Sequence, residues 1–207
     1  MNSLMKRIRI IAVLAAVALA GWLGWQQFGA SPPPPRGNLA GSTLGGDFAL
    51  VDQDGRARTA ADFAGKWRLM YFGYTFCPDV CPTDMAVIGQ ALRQFEDADK
   101  TRAAMVVPMF MTVDPARDTP EAIKPFVQAF HPRFVGLTGD EAAVAAMMKA
   151  YGIYARKVET RDGGEENYLV DHFAVYYLFG PDGAPVAFVP HGASVAEVRG
   201  MLETYVR

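Results

Sequence analysis

Cysteine is scarce in this chain. Its 207 residues include two, Cys77 and Cys81, so only one intramolecular disulfide can form. Histidine is nearly as rare, with His131, His172 and His191 the only imidazoles on offer to a metal. No internal repeat is present, and no basic patch is interleaved with aromatics, so nucleic-acid binding finds no support. Charged residues make up 20% of the chain and apolar ones 51%, a balance that fits a folded globule and argues against disorder. A single domain accounts for this length.

Lys6, Arg7 and Arg9 are the only charges in the first thirty residues, and residues 10–25 follow them as an uninterrupted apolar stretch. A basic flank ahead of an apolar segment predicts a cytoplasmic N-terminus and export of the remainder. The stretch is slightly short of the roughly 20 residues that span hydrocarbon. Gln26 and Gln27 are uncharged, however, and Trp22 and Trp25 suit the membrane interface. The expectation is an uncleaved transmembrane anchor over residues 1–30. A signal peptide removed after the small-residue pattern Ala18-Leu19-Ala20 is the competing reading. Residues 31–37, with four consecutive prolines, read as a semi-rigid spacer ahead of a domain over residues 38–207.

Within that domain, residues 48–51 read as a strand entering a turn at Asp54-Gly55, and residues 66–72 as a buried strand. Met85, Ile88, Ala91, Leu92 and Phe95 recur at helical spacing, placing Cys77 just before a helix and Cys81 inside it. Residues 106–113 form the next strand. Thr119-Pro120-Glu121 opens a helix running to Phe130, and Asp140 caps another that stops at Tyr151-Gly152. Residues 173–179 and 185–189 form a hairpin, and Ser194 with Glu197 makes a capping box for the last helix. Such alternation predicts a central sheet covered by helices, with chemistry where strand ends meet helix N-termini.

The cysteines sit at such a place. Four residues apart at a helix start, they share a face, and the unpaired N–H groups there favour the thiolate, which is both nucleophile and metal ligand. Metal binding, thiol redox chemistry and a plain structural disulfide are all open, although so short a loop makes a weak staple. Among the histidines, His131 reads as a capping or surface residue and His191 as a turn residue before the last helix. His172, in Val170-Asp171-His172-Phe173, reaches the mouth of an apolar strand and is the candidate third donor. Two thiolates and one imidazole suit copper(I) better than structural zinc, which takes four ligands. Asp79, between the cysteines, offers either support for copper(II) or a helix cap, and Asp171 a contact to the imidazole. Met109, Met111, Met147 and Met148 fall at ordinary core spacing, and residues 114–120 read as a turn and cap.

Taken in order, Gly73-Tyr74-Thr75-Phe76-Cys77-Pro78-Asp79-Val80-Cys81-Pro82-Thr83, Val113-Asp114-Pro115 with Arg117-Asp118-Thr119-Pro120, Leu137-Thr138-Gly139 and Asp171-His172 resemble the SCO/SenC family of thioredoxin-like copper chaperones. The likeness spans roughly residues 45–205. It implies an α/β thioredoxin-like fold, a central mixed sheet flanked by helices, behind an N-terminal membrane anchor. It implies copper, as Cu(I) or Cu(II), on Cys77, Cys81 and His172. The role implied is assembly of the dinuclear copper centre of cytochrome c oxidase subunit II, from a single-pass inner-membrane protein whose domain faces the periplasm and receives metal from an upstream donor. Some members are implied to act as thiol reductases, which would make Cys77 and Cys81 a redox-active pair. A redox or copper sensor is a third expectation. No peroxidatic motif precedes Cys77, which argues against peroxidase activity.

Overall fold

The computed structural model describes residues 3–28, 37–159 and 168–207. The chain divides into two compact units, Met1–Pro32 and Pro33–Arg207. The first contains helix α1 (Ser3–Phe28), which takes in the whole apolar stretch. No helix among the described residues is long and apolar enough to cross a membrane. The proline spacer lies outside the described residues, apart from Gly37.

The second unit begins with β1 (Gly37–Asn38), β2 (Ala49–Asp52), β3 (Ala57–Thr59) and a single 3-10 turn over Ala60–Phe63. Strand β4 (Trp67–Gly73) leads through the cysteine loop into α2 (Val80–Ala98), followed by the short α3 (Lys100–Ala103). Then come β5 (Val106–Thr112), α4 (Pro120–Phe130), β6 (Val135–Thr138) and α5 (Glu141–Ala150). The chain closes with β7 (Ala155–Glu159), β8 (Tyr168–His172), β9 (Val175–Phe179), β10 (Pro185–Pro190) and α6 (Val195–Tyr205).

Eight strands form one mixed sheet in the order β1-β10-β9-β4-β5-β6-β2-β3. Strands β4, β5 and β6 run parallel, and β9 joins β4 antiparallel. Central β4 is buried almost throughout, from Arg68 to Gly73, which explains why its sequence is a continuous apolar run and not an alternating one. Helix α2 packs against both α4 and α6. Its buried face carries Cys81, Met85, Ile88, Leu92 and Phe95 into the core. Met109, Met111 and Met147 are likewise fully buried core residues.

The helix starts follow their sequence signals. Thr119 accepts a hydrogen bond from the Ala122 N–H, Asp140 from that of Ala143, and Ser194 with Glu197 closes a capping box. Gly152 takes φ +65° after α5, as a left-handed stop requires. One expectation is corrected. The strand expected over residues 173–179 starts only at Val175, and Phe173 and Ala174 link it to a separate two-stranded ribbon, β7 against β8, with Ala155 opposite His172. His172 therefore closes a side hairpin, two residues short of the apolar strand β9.

Candidate metal centre

Strand β4 delivers the chain at Gly73, whose backbone lies so close to the site that a Cβ there would sit 2.9 Å from Cys81 Sγ and 2.9 Å from the Tyr71 ring. The loop that follows is held at two points. The Tyr74 hydroxyl accepts a hydrogen bond from the Val170 N–H at 3.2 Å, tying the loop to β8. Thr75 donates from its N–H at 3.1 Å and from its hydroxyl at 2.5 Å to Asp118, whose second oxygen accepts from the Thr112 hydroxyl at 2.6 Å. Burial pushes the Asp118 carboxyl up to about 6 despite these donors.

So anchored, the loop sets Cys77 half-buried before α2 and Cys81 fully buried in its first turn, both as free thiols. The Cys81 N–H points at Cys77 Sγ, 3.4 Å away. Hydrogen bonding from the Cys81 thiol, aided by the Cys81 and Asp79 backbone N–H groups, holds the Cys77 pKa down at about 5 against the opposing effect of burial. The same contact, together with burial, pushes the Cys81 thiol up. At neutral pH the pair is thus one thiolate facing one thiol.

His172 completes the group. Its Nε2 lies 3.5 Å from Cys81 Sγ, and its ring meets Tyr74 edge-on at 5.8 Å. Burial lowers its pKa, outweighing the nearby Cys77 thiolate, which favours the neutral imidazole that ligates metals. The three donors named from sequence thus come from the β4–α2 turn and from the end of β8 to one place. Cys81 touches both partners, yet among the described residues no three His, Cys, Asp or Glu side chains are already converged at metal-binding distance. Closing the set takes loss of the Cys81 proton and convergence of the three side chains. A soft cation supplies both, because thiolate ligation expels the proton. The donor set therefore fits copper(I).

The other candidates sort differently. Asp79 occupies the N-cap position of α2 but makes no side-chain cap bond, so its expected capping role is not realised. Instead it lines an open cleft of about 390 Å³ shared with Tyr74, Cys77, Leu169, His172 and His191. Asp171 is exposed and lies 3.9 Å from Arg156. His131 holds the C-cap position of α4 as expected, but it is 3% exposed, with Nε2 3.4 Å from Glu96, so it is not a surface residue. His191 pairs with buried Asp84, a contact that its sequence neighbours did not suggest.

Residues 114–120 hold more than a turn. Arg117 donates to Asp114 at 2.6 Å and to the Tyr168 carbonyl at 2.9 Å. Its guanidinium stacks 3.6 Å from the Tyr168 ring centroid and 4.9 Å from that of Phe76. The Tyr168 hydroxyl donates back to Asp114 at 2.7 Å. This clasp joins the cysteine loop to the hairpin that carries His172. In the sequence its one trace is charge near a strand end, most of which a turn and a helix cap explain.

A family profile described as SCO1/SenC matches residues 36–207. The chain is 46% identical over 138 residues to the mitochondrial "Protein SCO2 homolog" of Homo sapiens, covering 67% of this chain and 50% of that protein. The chain spans about half the length of the curated relatives it matches. Among solved structures, ScoI of Bradyrhizobium japonicum with copper bound is 40% identical, with a TM-score of 0.69 over 78% of this chain and 99% of that one. ScoI of Arabidopsis thaliana with copper bound is 35% identical, with a TM-score of 0.71 over 77% and 96%. Two more distant structures share the fold alone. One is the thioredoxin domain of a Bacteroides vulgatus thiol-disulfide oxidoreductase, 18% identical with a TM-score of 0.56 over 79% and 96%. The other is BsSco, 21% identical with a TM-score of 0.59 over 82% and 94%, described as having a disulfide switch and as a member of the Sco family of cytochrome c oxidase assembly proteins. With a thioredoxin-like fold, and a family match that runs from the start of its sheet to its last residue, this chain belongs to the SCO1/SenC family.

Proposed function

We propose that this protein binds one copper ion through Cys77, Cys81 and His172 and passes it to cytochrome c oxidase during assembly, the recipient being the dinuclear copper centre of subunit II. The observation that carries this reading is the meeting of Cys81 Sγ and His172 Nε2 at 3.5 Å beside the Cys77 thiolate, from positions 91 residues apart. Copper-bound relatives of the same family support it. Cys77 and His172 line an open cleft, which suits ligand exchange with a partner's donors, and an upstream periplasmic copper donor would load the site through the same opening.

The basic flank and the apolar stretch support a single-pass inner-membrane tether with the domain in the periplasm. Recovery of residues 1–20 from the membrane fraction of the mature protein would bear this out, and their absence would favour a cleaved leader. In cells, Cys77→Ser/Cys81→Ser should leave subunit II without its copper. Undiminished copper loading of the oxidase would refute the chaperone reading.

The Cys77 pKa of about 5, beside a buried Cys81, also favours a second reading as a thiol-disulfide oxidoreductase. Cys77 would attack a target disulfide and Cys81 would resolve the mixed disulfide, leaving Cys77–Cys81 oxidised and two target thiols reduced. His172→Ala separates the two readings, since it should weaken copper binding and spare most of the disulfide exchange.

A further inference from the structure

His191 lies outside the three-donor set, yet its surroundings are those of a metal ligand. Its Nδ1 is 3.0 Å from both carboxylate oxygens of Asp84. Asp84 is 1% exposed and sits on the buried face of α2, three residues beyond Cys81, so the two side chains are neighbours on the helix surface. The buried Tyr71 and Tyr176 side chains crowd the same carboxylate. His191 itself is 48% exposed, and its backbone N–H donates to the Ala174 carbonyl, two residues past His172. Its ring lines the same cleft as Cys77 and His172.

A turn histidine has no need of a buried carboxylate, and burying one is costly unless it is paired. A carboxylate that grips one ring nitrogen fixes the tautomer, leaving the lone pair on the other nitrogen, and this is how proteins hold metal-binding imidazoles. With Nδ1–H given to Asp84, the lone pair of His191 is on Nε2, on the side of the ring away from the carboxylate, in a side chain that is 48% exposed.

On the copper reading above, we propose that His191 is a second imidazole donor for copper(I), positioned by Asp84, which exchanges with His172 as metal enters or leaves the cleft. The metal passes from one imidazole to the other while the Cys77 sulfur keeps its bond. No electron changes place, and the one proton released, that of the Cys81 thiol, goes to solvent as Cys81 joins the set. An incoming donor would then displace a rim histidine and need not reach His172.

The test is ring-nitrogen NMR on the full chain in detergent, histidine-labelled with nitrogen-15, reduced and oxygen-free at about pH 8. The chain has three histidines, and buried His131 serves as the internal reference. Without metal, His191 should show the Nδ1–H tautomer. One equivalent of copper(I) should move His172 Nε2 in the wild type, and His191 Nε2 in His172→Ala. Asp84→Asn, added to His172→Ala, should remove most of that second shift while the cysteines still retain copper. In the wild type at half saturation, exchange should broaden His191 Nε2, a readout that does not depend on any variant folding. If His172→Ala retains copper with His191 Nε2 unmoved, or the wild type shows no broadening, the second donor is overturned and the three-donor site stands. If the wild type retains no copper, both readings fall.

Discussion

Cys77 and Cys81 have the same chemistry but opposite environments, one half-open and held as thiolate, the other buried and held as thiol. A lowered pKa keeps the reactive form present as pH falls. Iodoacetamide should therefore modify Cys77 at a rate that changes little from about pH 8 to about pH 6 and drops only towards pH 5, with Cys81 modified last. Mass spectrometry of quenched samples would show it, and a rate midpoint near the ordinary thiol value would contradict the assigned environment. Gly73 is the other residue on which the site depends. In Gly73→Ala the new Cβ meets Cys81 Sγ and the Tyr71 ring at 2.9 Å, so overpacking should cost about 1–3 kcal/mol and displace the thiol. A lowered Tm together with weaker copper(I) binding is expected, and an unchanged protein would show that the strand end has room to give.

The elements that carry the site were legible in unequal measure. Thr119, Asp140 and the Ser194–Glu197 box identified their helices because a cap is a local contact between residues three apart. Asp79 identified the start of α2 but not its own orientation, since its backbone at φ −143°, ψ −68° leaves the side chain unbonded. The β7–β8 ribbon escaped notice because Ala155–Glu159 is mostly exposed and carries three charges in five residues, a pattern that reads as loop. The Arg117 clasp was illegible for a different reason: Tyr168 is 51 residues away and Phe76 is 41, and no spacing rule links them. Arg117→Ala removes the stacking, the carbonyl bond and the cation paired with buried Asp114 together and should destabilise the fold by roughly 3 kcal/mol or more. It should also weaken copper(I) binding about tenfold, because the His172 hairpin loses its tie to the cysteine loop. Thermal unfolding and chelator competition check the two effects separately, and a lower Tm with unchanged affinity would make the clasp purely structural.

At the scale of the whole molecule, a thioredoxin-like sheet brings two cysteines from one βα turn to a histidine from a separate hairpin. The sequence showed the thiol pair plainly, since two cysteines at a helix start have few uses. It showed His172 as the favoured third donor only by its place before an apolar strand, and it could not show that Asp84 lies beneath His191. Fold and donors are consistent with either copper handling or disulfide exchange, which differ in whether the imidazole matters. The most direct measurement is anaerobic titration of the reduced full chain with copper(I) against a chromogenic chelator, comparing wild type, Cys77→Ser/Cys81→Ser and His172→Ala. The expected result is one tight equivalent in the wild type, none in the double serine variant and about tenfold or greater weakening in His172→Ala. Binding indifferent to His172, or no binding that competes with the chelator, would contradict the three-donor copper site.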